Sequence, residues 1–150
     1  MKKTFSIILC FVLFISLALP TYAAGQSEVI YSQEYTLEDG TTVKDEIIVH
    51  GLARTSYKTA TRRATISKDD TTIAIIAFQA TFRFDGSTVA VISKSVTQTD
   101  TYEGWSYKQT SFTSSGGTVT LEGKLTKLLI FNNSFTMTLT CDKNGNISST

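Results

Sequence analysis

Cys141 and His50 are the residues of this chain that could act together as a nucleophile and a base. The chain has one His and two Cys, and the other cysteine, Cys10, lies in an apolar run near the N-terminus. A Cys–His dyad needs both side chains within hydrogen-bond reach, with a third group to orient the imidazole. Cys141 ends the alternating segment 135–141 on its apolar face. We therefore predict that Cys141 is a buried structural residue and that no dyad forms.

The oxygen-rich segment 142–146 resembles the start of a calcium-binding loop. Asp142, Asn144 and Asn146 occupy alternate positions, but an EF-hand loop needs Gly at its sixth position and an acid at its twelfth. Ile147 stands at the sixth position, and the sequence reaches Thr150 before the twelfth. We interpret the segment as a turn after the last strand, and we predict no metal site and no cofactor.

Paired carboxylates could hydrolyse a glycosidic bond if two of them faced each other across a cleft. The adjacent pairs are Asp45-Glu46 and Asp69-Asp70. Neighbouring residues of a strand point to opposite faces, and Asp69-Asp70 is typical of a hairpin turn. The sequence also lacks a Gly-x-Ser-x-Gly nucleophile elbow. We predict that the protein is not an enzyme.

Two clusters of side chains could instead form a ligand-binding surface. The basic cluster consists of Arg54, Lys58 and Arg62. The aromatic cluster consists of Tyr102, Trp105 and Tyr107. Exposed aromatic rings suit protein or sugar contacts, and the basic stretch suits an anionic cell-wall polymer. Two alternatives stay open. Trp105 could fill the core, and the basic residues could pair with the acidic segment before them or line a solvated sheet edge.

The segments that contain these residues have the sequence pattern of β-strands. Apolar residues alternate with Thr over 135–141 and 119–125, and one long strand over 74–84 places apolar residues on one face. Further strands are expected over 28–37, 42–50, 55–66, 87–99 and 105–113. We place tight turns at Lys68–Asp70, Asp85-Gly86, Ser114–Gly117 and Phe131–Ser134. Six to eight antiparallel strands predict an all-β protein, an immunoglobulin-like or related β-sandwich.

The N-terminal residues have the layout of an export signal. Lys2 and Lys3 precede an apolar run of about 16 residues, shorter than the ~20 of a membrane-spanning helix. Pro20 and then small residues follow, so we predict a helical signal peptide over 1–24 that meets the membrane only during export. Residues 25–52 carry six acids and one base, and form an acidic leader or edge hairpin. Residues 53–150 form the sandwich domain.

Part of the chain resembles a family of small secreted, functionally uncharacterised β-rich proteins of gut Firmicutes. The similar segments are Thr59–Arg62, Ala80–Thr88 and, most specifically, the C-terminal block Leu139–Ser148. The resemblance covers about 90 residues and implies a secreted β-domain without a catalytic residue to transfer. Such proteins often carry a second cysteine in the strand after the Gly-Ser-Thr turn, where this chain reads Val89–Ile92. A disulfide is therefore not expected.

Charge and composition narrow the function. A formal net charge of +1 argues against electrostatic capture of nucleic acid. We predict a secreted, monomeric, non-enzymatic binding module that acts outside the cell or loosely on its surface. Its expected partner is an extracellular protein or a cell-wall glycan. The alternative is a secreted effector of bacteriocin-like or toxin-like type.

Overall fold

The computed structural model describes residues 26–54, 56–127 and 131–149, without the side chains of 52–54 and 131. These residues form nine strands: β1 (Ser27–Thr36), β2 (Thr42–Arg54), β3 (Tyr57–Lys68), β4 (Thr71–Phe84), β5 (Val89–Thr101), β6 (Trp105–Ser115), β7 (Thr118–Lys127), β8 (Phe131–Cys141) and β9 (Ile147–Ser148). Within these ranges no helix is long and apolar enough to cross a membrane. The expected signal peptide, residues 1–24, lies outside the described residues.

The strands form two antiparallel sheets, of five and four strands, with the orders β1-β2-β3-β4-β5 and β6-β7-β8-β9. The all-β sandwich expected from the sequence is confirmed. Neighbouring strands in both sheets are consecutive along the chain, so each sheet is a meander, whereas immunoglobulin domains use Greek-key connections. The described part of the chain forms nine strands, one more than the upper limit expected.

The core lies between the sheets, and β4, β7 and β8 bury about every second residue toward it. Phe78 and Phe82 on β4 face Leu121 on β7 and Leu139 on β8, and all four are fully buried. Thr fills many of the alternate, outward positions, as the pattern of a half-buried strand requires. The sequence periodicity therefore accounts directly for which face of each strand is apolar.

The acidic N-terminal segment is the edge hairpin of the five-stranded sheet. β2 pairs with β3 along most of its length, with Ile47 opposite Arg62. Ile47 is completely buried and Val43 nearly so. β2 therefore contributes to the core, while β1 forms the outer edge and leaves Val29 and Ile30 exposed.

At two of the expected turns, the backbone conformation or the hydrogen bonds suit the residues found there. Asp69 and Asp70 both have positive φ, as a two-residue hairpin turn demands. Asp85 accepts hydrogen bonds from the N–H groups of Ser87 and Thr88 and so closes the next turn. The Asp85 carboxylate therefore accepts hydrogen bonds from turn N–H groups that have no partner on a neighbouring strand.

The turn predicted at Phe131–Ser134 is wrong. These four residues belong to β8, where Asn133 lies opposite Leu125 and Asn132 opposite Thr126. The connection between β7 and β8 falls at 128–130, outside the described residues. Asn tolerates turn conformations, but pairing along a neighbouring strand satisfies its backbone groups equally well, so the cross-strand register decides.

Candidate functional site

A cavity of about 270 Å³ lies between the two sheets, bounded by the β1–β2 hairpin on one side and by β8 on the other. Its walls are mainly apolar and include Ile66, Ile73, Trp105, Leu125 and Met137. On the opposite side of the sandwich, the sheet edges approach each other closely. There Val91 donates a backbone hydrogen bond to Gly116, and Lys94 Nζ donates to the Phe112 carbonyl at 2.7 Å. The sandwich is thus closed at the β5–β6 side and hollow at the other.

A buried ion pair lines this cavity. Arg62 Nε donates to Asp45 Oδ1 at 3.1 Å, and Nη2 donates to Oδ2 at 2.6 Å. Only 8% of Arg62 and 4% of Asp45 are exposed. Two parallel hydrogen bonds between planar groups are the strong geometry for this pair, and the low exposure limits screening by water and salt.

Arg62 also connects the two sheets. Its other terminal nitrogen, Nη1, donates to the carbonyl of Thr138 on β8. The short strand β9 pairs only with Thr140 and Cys141, so the preceding peptide groups of β8 lie along an open edge. The guanidinium therefore supplies one donor where a longer neighbouring strand would otherwise have supplied an N–H.

Thr41 contributes a second polar group to the cavity wall. The residue is 3% exposed, and its hydroxyl forms no hydrogen bond of normal geometry with any described residue. Its N–H donates to Asp39 Oδ1 at 3.0 Å, and this bond, together with the nearby hydroxyl, lowers the pKa of Asp39. Asp39 Oδ2 in turn accepts from Asn133 Nδ2 at 3.4 Å, a contact between the hairpin and β8. A buried hydroxyl without a good partner is costly, which makes it a receptive group for a ligand.

The aromatic candidates do not share one surface. Tyr102 is 44% exposed in the β5–β6 turn, whereas Trp105 is 7% exposed and belongs to the core. Tyr107 also faces inward and stacks on Phe135 with ring centres 5.7 Å apart. Burial raises the pKa of Tyr107. Trp105 lines the cavity between the sheets and also a second pocket that includes Glu103 and Lys127.

The basic candidate residues do not share one surface either. Arg62 points into the sandwich and pairs with an acid of the N-terminal segment, the alternative left open from the sequence. Lys58 is half-buried and donates to the Gly145 carbonyl at 2.7 Å. The side chain of Arg54 lies outside the described residues. Of Arg62 and Lys58, whose side chains are described, Arg62 lines the cavity and Lys58 does not.

Cys141 and His50 lie in different parts of the fold. Cys141 is 1% exposed in the core, and burial together with the charge of Asp142 raises the pKa of its thiol to about 11. His50 is within hydrogen-bond distance of the hydroxyls of Ser27 and Thr61, at 2.9 and 2.7 Å. Cys141 is the free cysteine of the described part of the chain.

The oxygen-rich loop is the turn between β8 and β9. Asp142 Oδ1 accepts hydrogen bonds from the N–H groups of Asn144 and Asn146, each at 2.8 Å, and Oδ2 accepts from the Asn146 side chain. These bonds lower the pKa of Asp142. The described residues contain no group of three or more His, Cys, Asp or Glu that could hold a metal ion.

Sequence reasoning missed Asp45 and Thr41 as site residues, although the alternation contained a signal. Val43, Asp45 and Ile47 share one face of β2, and Thr41, just before the strand, continues this alternation, so an acid lies among apolar residues. Arg62 likewise interrupts an apolar face of β3. One acid and one base on the inner faces of adjacent strands predict a buried pair, once the two strands are known to be neighbours.

Comparison of the chain with models of protein families, with curated proteins and with solved structures finds no match.

Proposed function

We propose that this chain is a secreted, non-enzymatic binding module that holds a small molecule between its two sheets. The observation that carries the proposal is the cavity of about 270 Å³, apolar on its walls and containing a buried ion pair. Its volume is just below the ~300–1,000 Å³ usual for ligand pockets, which favours a small ligand. Export is supported by the basic and apolar pattern of residues 1–24.

The form of the cavity favours a binding site over a packing fault. Protein cores are close-packed, whereas this space of about 270 Å³ opens to solvent past Leu37 and Thr136, which are exposed residues of its lining. The neighbouring residues Phe78 and Phe82 are fully buried in the core, and the cavity lies beside this core at the β1–β8 side.

The non-enzymatic part of the proposal rests on where the reactive groups lie. The thiol of Cys141 is in the core with a raised pKa, and His50 contacts two hydroxyls of neighbouring strands. The extracellular protein or cell-wall glycan expected from the sequence stays a proposal. The side chains that suggested such partners do not form one surface, so we place the ligand inside the sandwich.

The test uses two alanines that both face inward from β3. Ala64 lines the cavity, whereas Ala60 is fully buried away from it. Ala64→Leu should fill empty space, keep the unfolding free energy within about 1 kcal/mol and block binding. Ala60→Leu should overpack the core and cost about 1–3 kcal/mol. Equal destabilisation by both substitutions would show that the cavity is not available space.

Binding itself is measured through Trp105, the one tryptophan of the chain, which lies on the cavity wall. The full chain is expressed, purified after export, and titrated with benzamide as a small amphipathic probe. A saturable change in tryptophan emission, lost in Ala64→Leu, is the expected result. If the emission of the wild-type protein does not change, or changes equally in Ala64→Leu, the cavity is not a binding site.

A further inference from the structure

We infer that the cavity selects an uncharged amphipathic molecule, with an apolar body against Trp105 and Met137 and one hydrogen-bonding head group beside Thr41 and Arg62. This inference rests on the proposed binding function and adds the chemistry of the ligand.

The body of the ligand follows from the walls and the volume. Isoleucine, leucine, methionine and tryptophan side chains offer almost no polar atoms, so they favour apolar surface. The volume of about 270 Å³ equals that of ~9 water molecules at ~30 Å³ each. A single ring or a short acyl chain, with about ten non-hydrogen atoms in all, fits this space.

The head group follows from the unused polar groups. The hydroxyl of Thr41 is buried near the Asp39 carboxylate, without a hydrogen bond of normal geometry. Arg62 uses three of its five N–H groups on Asp45 and Thr138. The wall therefore offers donors, and a carbonyl, amide or hydroxyl oxygen is the complementary group.

The absence of net charge follows from the ion pair. Asp45 already neutralises Arg62 through two hydrogen bonds, and the two side chains are only 10% (Arg62) and 6% (Asp45) exposed. An anionic ligand would have to displace Asp45 or remain without a counter-ion. A cationic ligand would face the guanidinium. Burying an unpaired charge is far more costly than burying a hydrogen-bonded neutral group.

The experiment compares four probes that share one ring: toluene, benzamide, benzoate and benzylammonium. Each is titrated into the full chain, and the dissociation constant is obtained from Trp105 emission and from calorimetry. We expect benzamide to bind about three- to tenfold more tightly than toluene, the value of one satisfied hydrogen bond. Both charged probes should bind at least about tenfold more weakly than benzamide.

A matched pair of threonine variants locates the head group. Thr41→Val keeps the shape of the side chain and removes the buried hydroxyl, so the preference for benzamide over toluene should largely disappear while toluene still binds. Thr136→Val changes an exposed threonine on the same cavity lining and should leave the preference unchanged.

The outcomes distinguish a failure of the proposed binding function from a failure of the inferred ligand chemistry. If none of the four probes binds, the binding function itself fails. If toluene binds as tightly as benzamide, if a charged probe binds most tightly, or if Thr41→Val keeps the full preference, the cavity binds ligands but the inferred ligand chemistry is wrong.

Discussion

Removing the charge of Asp45 tests the buried ion pair most directly. Asp45→Asn keeps the size of the side chain but leaves the Arg62 guanidinium with no carboxylate partner among the contacts described. The side chains of the pair are only 10% and 6% exposed, so water screens the uncompensated charge poorly. Breaking such a pair costs about 3–5 kcal/mol, and we expect about 3 kcal/mol because Asn still accepts one hydrogen bond. This is a large share of the ~5–15 kcal/mol stability of a typical domain.

The assay is urea unfolding, followed by Trp105 emission and by circular dichroism. With a denaturant slope of about 2 kcal/mol per molar urea, the midpoint of Asp45→Asn should fall by about 1.5 M. Glu46→Gln is the matched control on the next residue of β2. Its partner Lys44 is 2.8 Å away, but the lysine side chain is 48% exposed, so the loss should stay below about 1 kcal/mol.

The double variant Asp45→Leu, Arg62→Met separates burial of charge from loss of packing. It removes both charges and should be more stable than Asp45→Asn, because no buried ion remains unpaired. The reasoning would be refuted if Asp45→Asn and Glu46→Gln shifted the midpoint equally, since that would place both pairs in the same solvent environment.

Three further predictions concern the C-terminal turn, the thiol and the hairpin. Gly145→Ala should unfold at clearly lower urea than Gly40→Ala. Both glycines have positive φ, but a Cβ at Gly145 would lie 2.5 Å from the Phe84 ring, whereas Gly40 has open space. The thiol of Cys141, with its pKa raised to about 11, stays protonated in the folded state while the unfolded thiol ionises near its ordinary value. Stability should therefore be lost as pH rises from about 9 to 11, less so in Cys141→Ala, and an equal loss in both would contradict this. A chain restricted to residues 53–150 should melt lower or aggregate, because it exposes the edge of β3 and leaves a buried guanidinium unpaired. An unchanged melting temperature in a monomeric product would mean that the hairpin does not support the core.

The sequence pattern alone predicts much of this architecture. Strict alternation, as in Phe135, Met137 and Leu139, identifies strands with one buried face, because side chains of a strand alternate with a period of two. Asp85-Gly86 and Asp69-Asp70 identify hairpin turns, because few residues accept the positive φ or side-chain capping that those turns need. These are local properties, and they also predicted that Cys141 is buried.

The candidate site depends on contacts that no local pattern contains. Asp45 and Arg62 are 17 residues apart, and their pairing needs β2 beside β3 with both residues on the inner face. Asn132 and Asn133 were assigned to a turn because their preference for turns is real, but the register with β7 outweighs it.

The location of Trp105 was also decided by the tertiary structure. Its alternation with Tyr107 shows that both rings lie on one face, but whether that face meets solvent or the opposite sheet depends on how the two sheets stack. Sequence periodicity determined the strands, their apolar faces and most of their turns. The packing of one sheet against the other determined the candidate site. It leaves a space at the β1–β8 side, and the only charged pair that is buried among the described residues lines this space.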